Sequence, residues 1–306
     1  MKVLIATQKP FAAVAVEGIK KILTDAGHQV DTLEKYAEQA DFIKAVAPYD
    51  ALIIRSDKVD TELLEAAHNL KIVVRAGAGV DNVDLQAASE RKVVVMNTPG
   101  QNSNAVAELV IAMMIFMSRN QFNPSTGTEV MGKKLGIHGF GNIGRLVCEK
   151  AKGLGMQVFA DPHYTPEKVR ALGGEPVSST EELYKNCDFV ALHMPAKPET
   201  IKSIGYELLM GMPKGACIIN AARKEVIDEE GLAKAFEERQ DLKYATDIAP
   251  DNYELLKEKF GNRVFATPKK MGAQTAEANI NAGLAAARQI ADFFATGNNK
   301  FQVNKW

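Results

Sequence analysis

The sequence predicts an α/β protein built as two doubly wound parallel-sheet domains with a cleft between them. Three observations predict it. Short runs of Val, Ile and Leu alternate with helix-patterned segments along all 306 residues. Continuous β-branched runs separated by helices mark parallel strands covered on both faces. The series occurs twice, on either side of Asn120–Gly132 (NQFNPSTGTEVMG), whose Asn, Gly, Ser, Thr and Pro content reads as a linker. A glycine fingerprint then opens the second series.

In order, Lys2–Ala6 (KVLIA) is a strand, and Val14–Ala26 is a helix that Gly27 can cap. His28–Leu33, Ala51–Arg55, Lys71–Ala76 and Val93–Asn97 are strands, with helices at Thr61–His68 and Asp84–Arg91. A long helix should start near Asn102–Asn104 and run through VAELVIAMMIFM. The second series has strands at Lys134–His138, Val158–Asp161, Phe189–His193, Ala216–Asn220, Tyr244–Ile248 and Val264–Ala266, and a last helix over Thr275–Ala295. No repeat of solenoid period is present.

Composition narrows the function. Lys plus Arg number 37 and Asp plus Glu 38, a formal charge of −1. Such balance gives no electrostatic footprint for nucleic acid or an anionic membrane. The longest apolar stretch, Leu109–Met117, is too short to span a bilayer, and the N-terminal run meets Lys9 and Pro10 too soon for a signal peptide. Cys148, Cys187 and Cys217 are odd in number and scattered, which fits a reducing, cytoplasmic setting. His28, His68, His138, His163 and His193 are equally dispersed, so no metal site is expected.

Gly139-Phe140-Gly141-Asn142-Ile143-Gly144 matches GxGxxG. Alone the pattern is weak. Here it follows a strand, opens a helix pattern and precedes a second strand ending in Asp161, 22 residues after Gly139. That context makes it a dinucleotide site. Gly139 permits the turn, Gly141 lets a pyrophosphate approach, and Gly144 lets the helix pack on the sheet. The helix start at Asn142 and Ile143 supplies free N–H groups and the positive dipole end. Asp161 would accept from a ribose diol and repel a 2′-phosphate, which favours NAD over NADP.

Ligands of open parallel sheets gather beyond the C-terminal strand ends. Three such segments stand out in the second half: Asn220–Arg223 (NAAR), Asp247–Asn252 (DIAPDN) and Thr267–Gly272 (TPKKMG). Arg223 can grip a carboxylate by its fork and polarise a keto oxygen. A lysine among other cations, Lys269 or Lys270, can act as base toward an alcohol. In the first half, Arg55-Ser56-Asp57-Lys58 and the Gly-rich loop Arg75–Asn82 lie at strand ends and could bind a phosphorylated acid. For Lys58, a plain surface ion pair with Asp57, Asp60 or Asp81 weighs equally.

Together these residues resemble the D-isomer-specific 2-hydroxyacid dehydrogenases. The resemblance rests on IIRSDKVD, VVRAGAGVDNVDLQAA, NTPGQNSNAVAELV, LGIHGFGNIGR, CDFVALHMPAKPET, MPKGACIINAARKEVID, TDIAPD and ATPKKMGAQTAEA, and runs almost end to end. It implies a flavodoxin-like substrate domain over 1–97 plus 288–306 and a Rossmann NAD-binding domain over 98–287. It implies that Arg223 is the catalytic arginine. Arg55, Ser56, Arg75, Ala76, Gly77 and Asn102 would contact substrate. His193, Met194, Pro195, Ala221, Ala222 and Asp247 would line the nicotinamide side, so His193 would not be a base.

The implied reaction is NAD-dependent oxidation of 3-phospho-D-glycerate to 3-phosphohydroxypyruvate, which opens the phosphorylated route to serine. Alternatives are glyoxylate or hydroxypyruvate reduction, D-lactate oxidation, or a catalytically silent NAD sensor akin to the corepressors of this fold. A homodimer through the VAELVIAMMIFM helix is implied too.

The chain departs from the family pattern in four places. Lysines follow Thr267-Pro268 where a catalytic histidine is usual, and the alignment leaves Lys269 and Lys270 both open. Asn252, 29 residues after Arg223, stands where an orienting acid is usual, so Asp251 or Asp247 would have to substitute. The segment before the fingerprint is short and lacks the family's tryptophan. The sequence stops soon after the last helix, so no regulatory domain is expected after it.

Overall fold

The computed structural model describes all 306 residues. The chain forms two compact units, Met1–Asn102 with Gln274–Trp306, and Ser103–Ala273.

The first unit holds β1 (Lys2–Thr7), α1 (Ala13–Asp25), β2 (Gln29–Glu34), α2 (Gln39–Val46), β3 (Ala51–Ile54), α3 (Thr61–Ala66), β4 (Ile72–Arg75), α4 (Leu85–Glu90) and β5 (Val94–Asn97). The second holds α5 (Ser103–Ser118), β6 (Lys134–His138), α6 (Asn142–Gly153), β7 (Gln157–Ala160), α7 (Pro166–Ala171), β8 (Glu175–Pro176), α8 (Thr180–Asn186), β9 (Phe189–Leu192), α9 (Tyr206–Met210), β10 (Cys217–Asn220), α10 (Glu229–Glu238), β11 (Lys243–Thr246), α11 (Tyr253–Phe260) and β12 (Val264–Ala266). α12 (Ala276–Thr296) returns to the first unit.

The first sheet is ordered β2-β1-β3-β4-β5 and every pairing is parallel. Its strands are buried on both faces: Leu4, Leu52, Ile54 and Val73 pack toward α2–α4, and Val3, Ile5, Ile53 and Val74 toward α1 and α12. That two-sided burial is why these strands read as unbroken Val/Ile runs. The order reverses between β1 and β3.

The second sheet is ordered β12-β11-β10-β9-β6-β7-β8, again wholly parallel. Here the reversal lies between β6 and β9, and ligands of such sheets bind in the crevice beyond a reversal.

The domain limits differ from those expected. α12 lies against α1: a Cβ on Gly18 would come within 2.6 Å of Leu284 Cδ2, and one on Gly283 within 2.9 Å of Ile19 Cδ1. Two glycines let the helices approach, and Ala282, Ala286, Ala287 and Ile290 fill the shared core. Residues from Gln274 on, and residues 98–102, therefore belong to the first unit rather than the second.

The expected linker at Asn120–Gly132 is also corrected, because it lies wholly inside the second unit. Asn120, Gln121 and Phe122 take φ of 50, 59 and 58° and are held in that uncommon conformation from outside. Lys243 Nζ donates to Met117 O (3.2 Å) and Asn120 Oδ1 (3.3 Å). Gln121 Nε2 donates to Asn262 O at 3.0 Å.

Past α12 the chain covers the exposed edge of β5. Val95 N–H donates to Asn304 Oδ1 (2.9 Å), and Asn304 Nδ2 donates to Val93 O (2.9 Å). No helix is long and apolar enough to cross a membrane.

Candidate active site

The crevice of the second unit is built by glycines. β6 ends at His138, and Gly139 turns the chain with φ of +105°. A Cβ there would sit 2.7 Å from His193 C and Met194 N, across the reversal. On Gly144 it would lie 2.4 Å from Gly139 O and 2.8 Å from Ile137 Cγ2, so the third glycine sets how closely α6 meets the strand. Gly141 is different. Its nearest neighbour would be Tyr164 Oη at 3.5 Å, so internal packing alone tolerates a methyl there. Its bareness fits close approach by a ligand. Gly141 is the N-cap of α6 and has no side chain to cap the helix, leaving first-turn N–H groups such as those of Asn142 and Ile143 for an anion.

Asp161 follows β7 and is 1% exposed. It accepts from Gly139 N–H (2.6 Å) and His163 N–H (3.0 Å), and His163 Nδ1 lies 2.7 Å from its Oδ1. A cavity of about 220 Å³ opens here, lined among others by Gly139, Asp161, Tyr164 and His193–Pro195.

His193 is partly exposed as a residue, yet neither ring nitrogen reaches solvent or has a hydrogen-bond partner. Burial, helped by nearby His138, brings its pKa down to about 3. A ring of such low basicity, with both nitrogens shut away from solvent, is a poor proton acceptor, which argues against a base. His138 is also shifted down by burial, and its Nδ1 meets Tyr184 Oη at 3.2 Å.

Around Arg223 the order comes from Asn220, which is fully buried. Asn220 Oδ1 accepts from Ala222 N–H and its Nδ2 donates to Arg223 O, both at 3.0 Å. The turn holds Ala221 and Ala222 at the strand end, and the Arg223 side chain leaves it exposed, with one bond to Ala222 O at 2.9 Å.

Asp247 takes a role the sequence does not disclose. Expected beside the cofactor, it is 2% exposed and clamps the lysine loop. Its carboxylate accepts from Met271 N–H (2.8 Å), Gly272 N–H (2.8 Å) and Thr267 Oγ1 (3.0 Å). Thr267 Oγ1 also approaches Lys269 O at 3.0 Å. Lys269 and Lys270 stand exposed on this loop.

Asp251 does not stand as an orienting acid for that loop. Its carboxylate is exposed and paired with Lys224 Nζ at 2.5 Å. Glu229 accepts from the N–H groups of Asp251 (3.0 Å) and Asn252 (3.2 Å).

In the first unit Arg55 and Arg75 stand at the ends of β3 and β4. Arg55 donates to Lys9 O (2.9 Å), Pro10 O (3.0 Å) and Asn279 Oδ1 (2.7 Å), with its guanidinium over Phe11. Its fork is thus largely occupied by the protein itself. Arg75 uses only Nε, toward Arg55 O at 2.9 Å. Its NH1 lies where a Gly77 Cβ would be, 1.6 Å from that position, so Gly77 makes room for it. Burial shifts both guanidinium pKa values down.

Asp57, weighed from sequence as a surface partner of Lys58, is instead buried. It accepts from Gln8 N–H (2.7 Å), Tyr36 Oη (2.8 Å) and Arg55 N–H (3.0 Å), while Lys58 pairs with Asp60 at 3.0 Å. Ser56 is exposed, Ala76 is buried, and Asn102 is partly exposed at the close of this stretch.

Residues 105–269 match the model of the D-isomer specific 2-hydroxyacid dehydrogenase NAD-binding domain. A solved 3-phosphoglycerate dehydrogenase of Entamoeba histolytica, with NAD+ bound, is 50% identical with a TM-score of 0.86, covering 100% of this chain and 99% of that one. A D-3-phosphoglycerate dehydrogenase of Methanocaldococcus jannaschii is 35% identical over 89% of this chain and 57% of its own length. A hydroxypyruvate reductase of Thermotoga maritima is 34% identical over 86% of this chain and 90% of its own length. The chain spans about half the length of the first phosphoglycerate dehydrogenases it matches by sequence.

The chain belongs to the D-isomer-specific 2-hydroxyacid dehydrogenases, and its second unit carries the family's NAD-binding domain. The glycine crevice, the uncapped α6 N-terminus and the buried acid after β7 are groups that suit NAD.

Proposed function

We propose that the protein oxidises 3-phospho-D-glycerate to 3-phosphohydroxypyruvate with NAD, the entry to phosphorylated serine synthesis. The observation that carries the reading is the end-to-end, 50% identical likeness to the Entamoeba histolytica 3-phosphoglycerate dehydrogenase. The two-arginine edge of the first unit supports a phosphorylated substrate. Arg75 is the better phosphate ligand of the two, because the Arg55 fork is already engaged by Lys9, Pro10 and Asn279.

NAD, held by the glycine turn at Gly139–Ile143 and the ribose-side Asp161, would supply the hydride acceptor for C2. Arg223 grips the substrate carboxylate and stabilises the oxygen as it becomes a keto group. A neutral amine on Lys269 or Lys270 takes the hydroxyl proton. Asp247 keeps that loop in place. Asn102, Ser56, Ala76 and Gly77 would serve as substrate contacts, and His193–Pro195 with Ala221 and Ala222 would line the nicotinamide pocket.

NADH production that requires 3-phosphoglycerate and fails with D-glycerate is the expected result, and equal rates on the two would remove the phosphate claim. Of Lys269→Ala and Lys270→Ala, one should lose about 10²-fold or more in turnover. Full activity in both would place the base elsewhere.

The Thermotoga likeness favours a second reading, hydroxypyruvate reduction, since it covers most of that protein's length. Faster turnover of hydroxypyruvate than of its phosphorylated form would select it.

A homodimer through α5 is part of the same proposal. Leu109, Ile111 and Phe116 of that helix are only partly buried, and Phe122 and Met131 beyond it are 68% and 69% exposed. Sedimentation at the mass of one chain would oppose it. The three buried, unpaired cysteines support a cytoplasmic setting.

A further inference from the structure

Asp161 has little left to offer a ligand by itself. Its Oδ1 accepts twice from His163 and its Oδ2 accepts from Gly139, at 1% exposure. A carboxylate oxygen has two lone pairs, so one position on Oδ2 remains. The exposed partner is His163, whose side chain is 72% accessible and lines two cavities, one of which Asp161 also lines.

We propose that His163 is the specificity-determining residue for the dinucleotide: its charge sets how strongly NAD is preferred to NADP. The inference rests on the dinucleotide reading of this crevice and deepens it.

The argument is one of tautomer and charge. An ionised carboxylate only accepts hydrogen bonds, so the 2.7 Å contact needs the proton on Nδ1. That leaves Nε2 as the polar atom a ribose substituent meets. In the neutral ring Nε2 is an acceptor: it can take a ribose hydroxyl hydrogen and it repels a phosphate dianion. In the cationic ring Nε2 is a charged donor, which welcomes the 2′-phosphate and offsets the carboxylate behind it.

Titratable groups that line these cavities with His163 are His138 at the end of β6, Tyr164 after β7, Glu181, Tyr184 and Lys185 on α8, His193, Lys197 and Glu199 after β9, and Glu207 on α9. Carboxylates and lysines ordinarily keep their charge between about pH 5.8 and pH 8.5. Burial lowers the pKa of both His138 and His193, and neither ring nitrogen of His193 reaches solvent. His163 is thus the imidazole of this cluster placed to act as the switch.

The test is binding, not turnover. Calorimetric Kd values for NAD and NADP would be measured on the whole chain at about pH 5.8 and about pH 8.5, for the wild type and for His163→Gln, whose amide keeps a donor toward Asp161. The 2′-phosphate titrates in the same range, and its contribution is common to both proteins. The NAD-over-NADP preference should fall about tenfold more on acidification in the wild type than in His163→Gln. Proton uptake on NADP binding, read from calorimetry in buffers of different ionisation enthalpy, should exceed that on NAD binding in the wild type. Because the 2′-phosphate can take up protons as well, the excess is assigned to His163 by its loss in His163→Gln, or in His163→Asn if the glutamine variant does not fold. The same acid response in both proteins, or equal proton uptake for the two ligands in the wild type, would overturn the inference while leaving NAD binding intact. No NAD binding by the wild type would instead remove the dinucleotide reading and the inference with it.

Discussion

Replacing Asp247 by alanine tests how the lysine loop is held. The substitution removes three hydrogen bonds from a group 2% exposed: those from Met271 N–H and Gly272 N–H at 2.8 Å and from Thr267 Oγ1 at 3.0 Å. A hydrogen bond to a charged group contributes about 1.5–3 kcal/mol, and a buried N–H left without a partner costs about 1–3 kcal/mol. The bonds share one carboxylate and are not additive, so the expected loss is about 3–5 kcal/mol. Asp247→Asn keeps one acceptor oxygen but turns an NH₂ toward a donor, and should lose about 2 kcal/mol. Denaturant unfolding measures both, and hydrogen exchange at Met271 and Gly272 locates the effect. Turnover should also fall in Asp247→Asn, because the loop carries both candidate bases. If Asp247→Ala stays within about 0.5 kcal/mol of the wild type and those two amides keep their protection, the clamp is not an energetic feature of the fold.

Three further outcomes are expected. Gly144→Ala puts a methyl 2.4 Å from Gly139 O, backbone against backbone, and should weaken NAD binding by about tenfold or more in a calorimetric titration. Asp241, bonded to the Arg239 guanidinium at 2.7 and 2.9 Å, has a pKa well below the usual carboxylate range. Its contribution is therefore present above the unfolded-state value, about 3.9, and is lost as pH falls through the lower folded-state value. Asp241→Asn should then be less stable than the wild type at neutral pH, and the gap should close on acidification below about pH 4. Burial pushes the Cys187 and Cys217 thiols up to about 12. A thiol reagent should label neither in the native protein and both in denaturant.

The parts legible in the sequence are those whose causes are local. β6 and β12 fall where their runs of β-branched and small residues say, and the fingerprint glycines do what six consecutive positions require. The parts that stayed hidden depend on partners far along the chain. Nothing near Arg55 announces Asn279, 224 residues away, as the group that occupies its fork. Gly18 and Gly283 look like weak points in two helices until they meet, and that meeting places α12 in the first unit. The Asn120–Gly132 stretch has the composition of a tether, yet Lys243 and the 262–264 backbone fasten it down. Asp247 shows a related limit. A strand-end acid near a cofactor edge suggests ligand contact, and only geometry shows its oxygens turned onto its own chain.

The manner in which α12 returns to α1 has a consequence for biogenesis. All of Ser103–Ala273 leaves the ribosome before the helix that completes the first sheet's core is made. The half that carries the glycine crevice and the lysine loop can mature during synthesis. Its companion must wait with the α12 side of β3 and β4 uncovered beside α1, and that unfinished patch is where chaperone capture or aggregation of the nascent chain should begin.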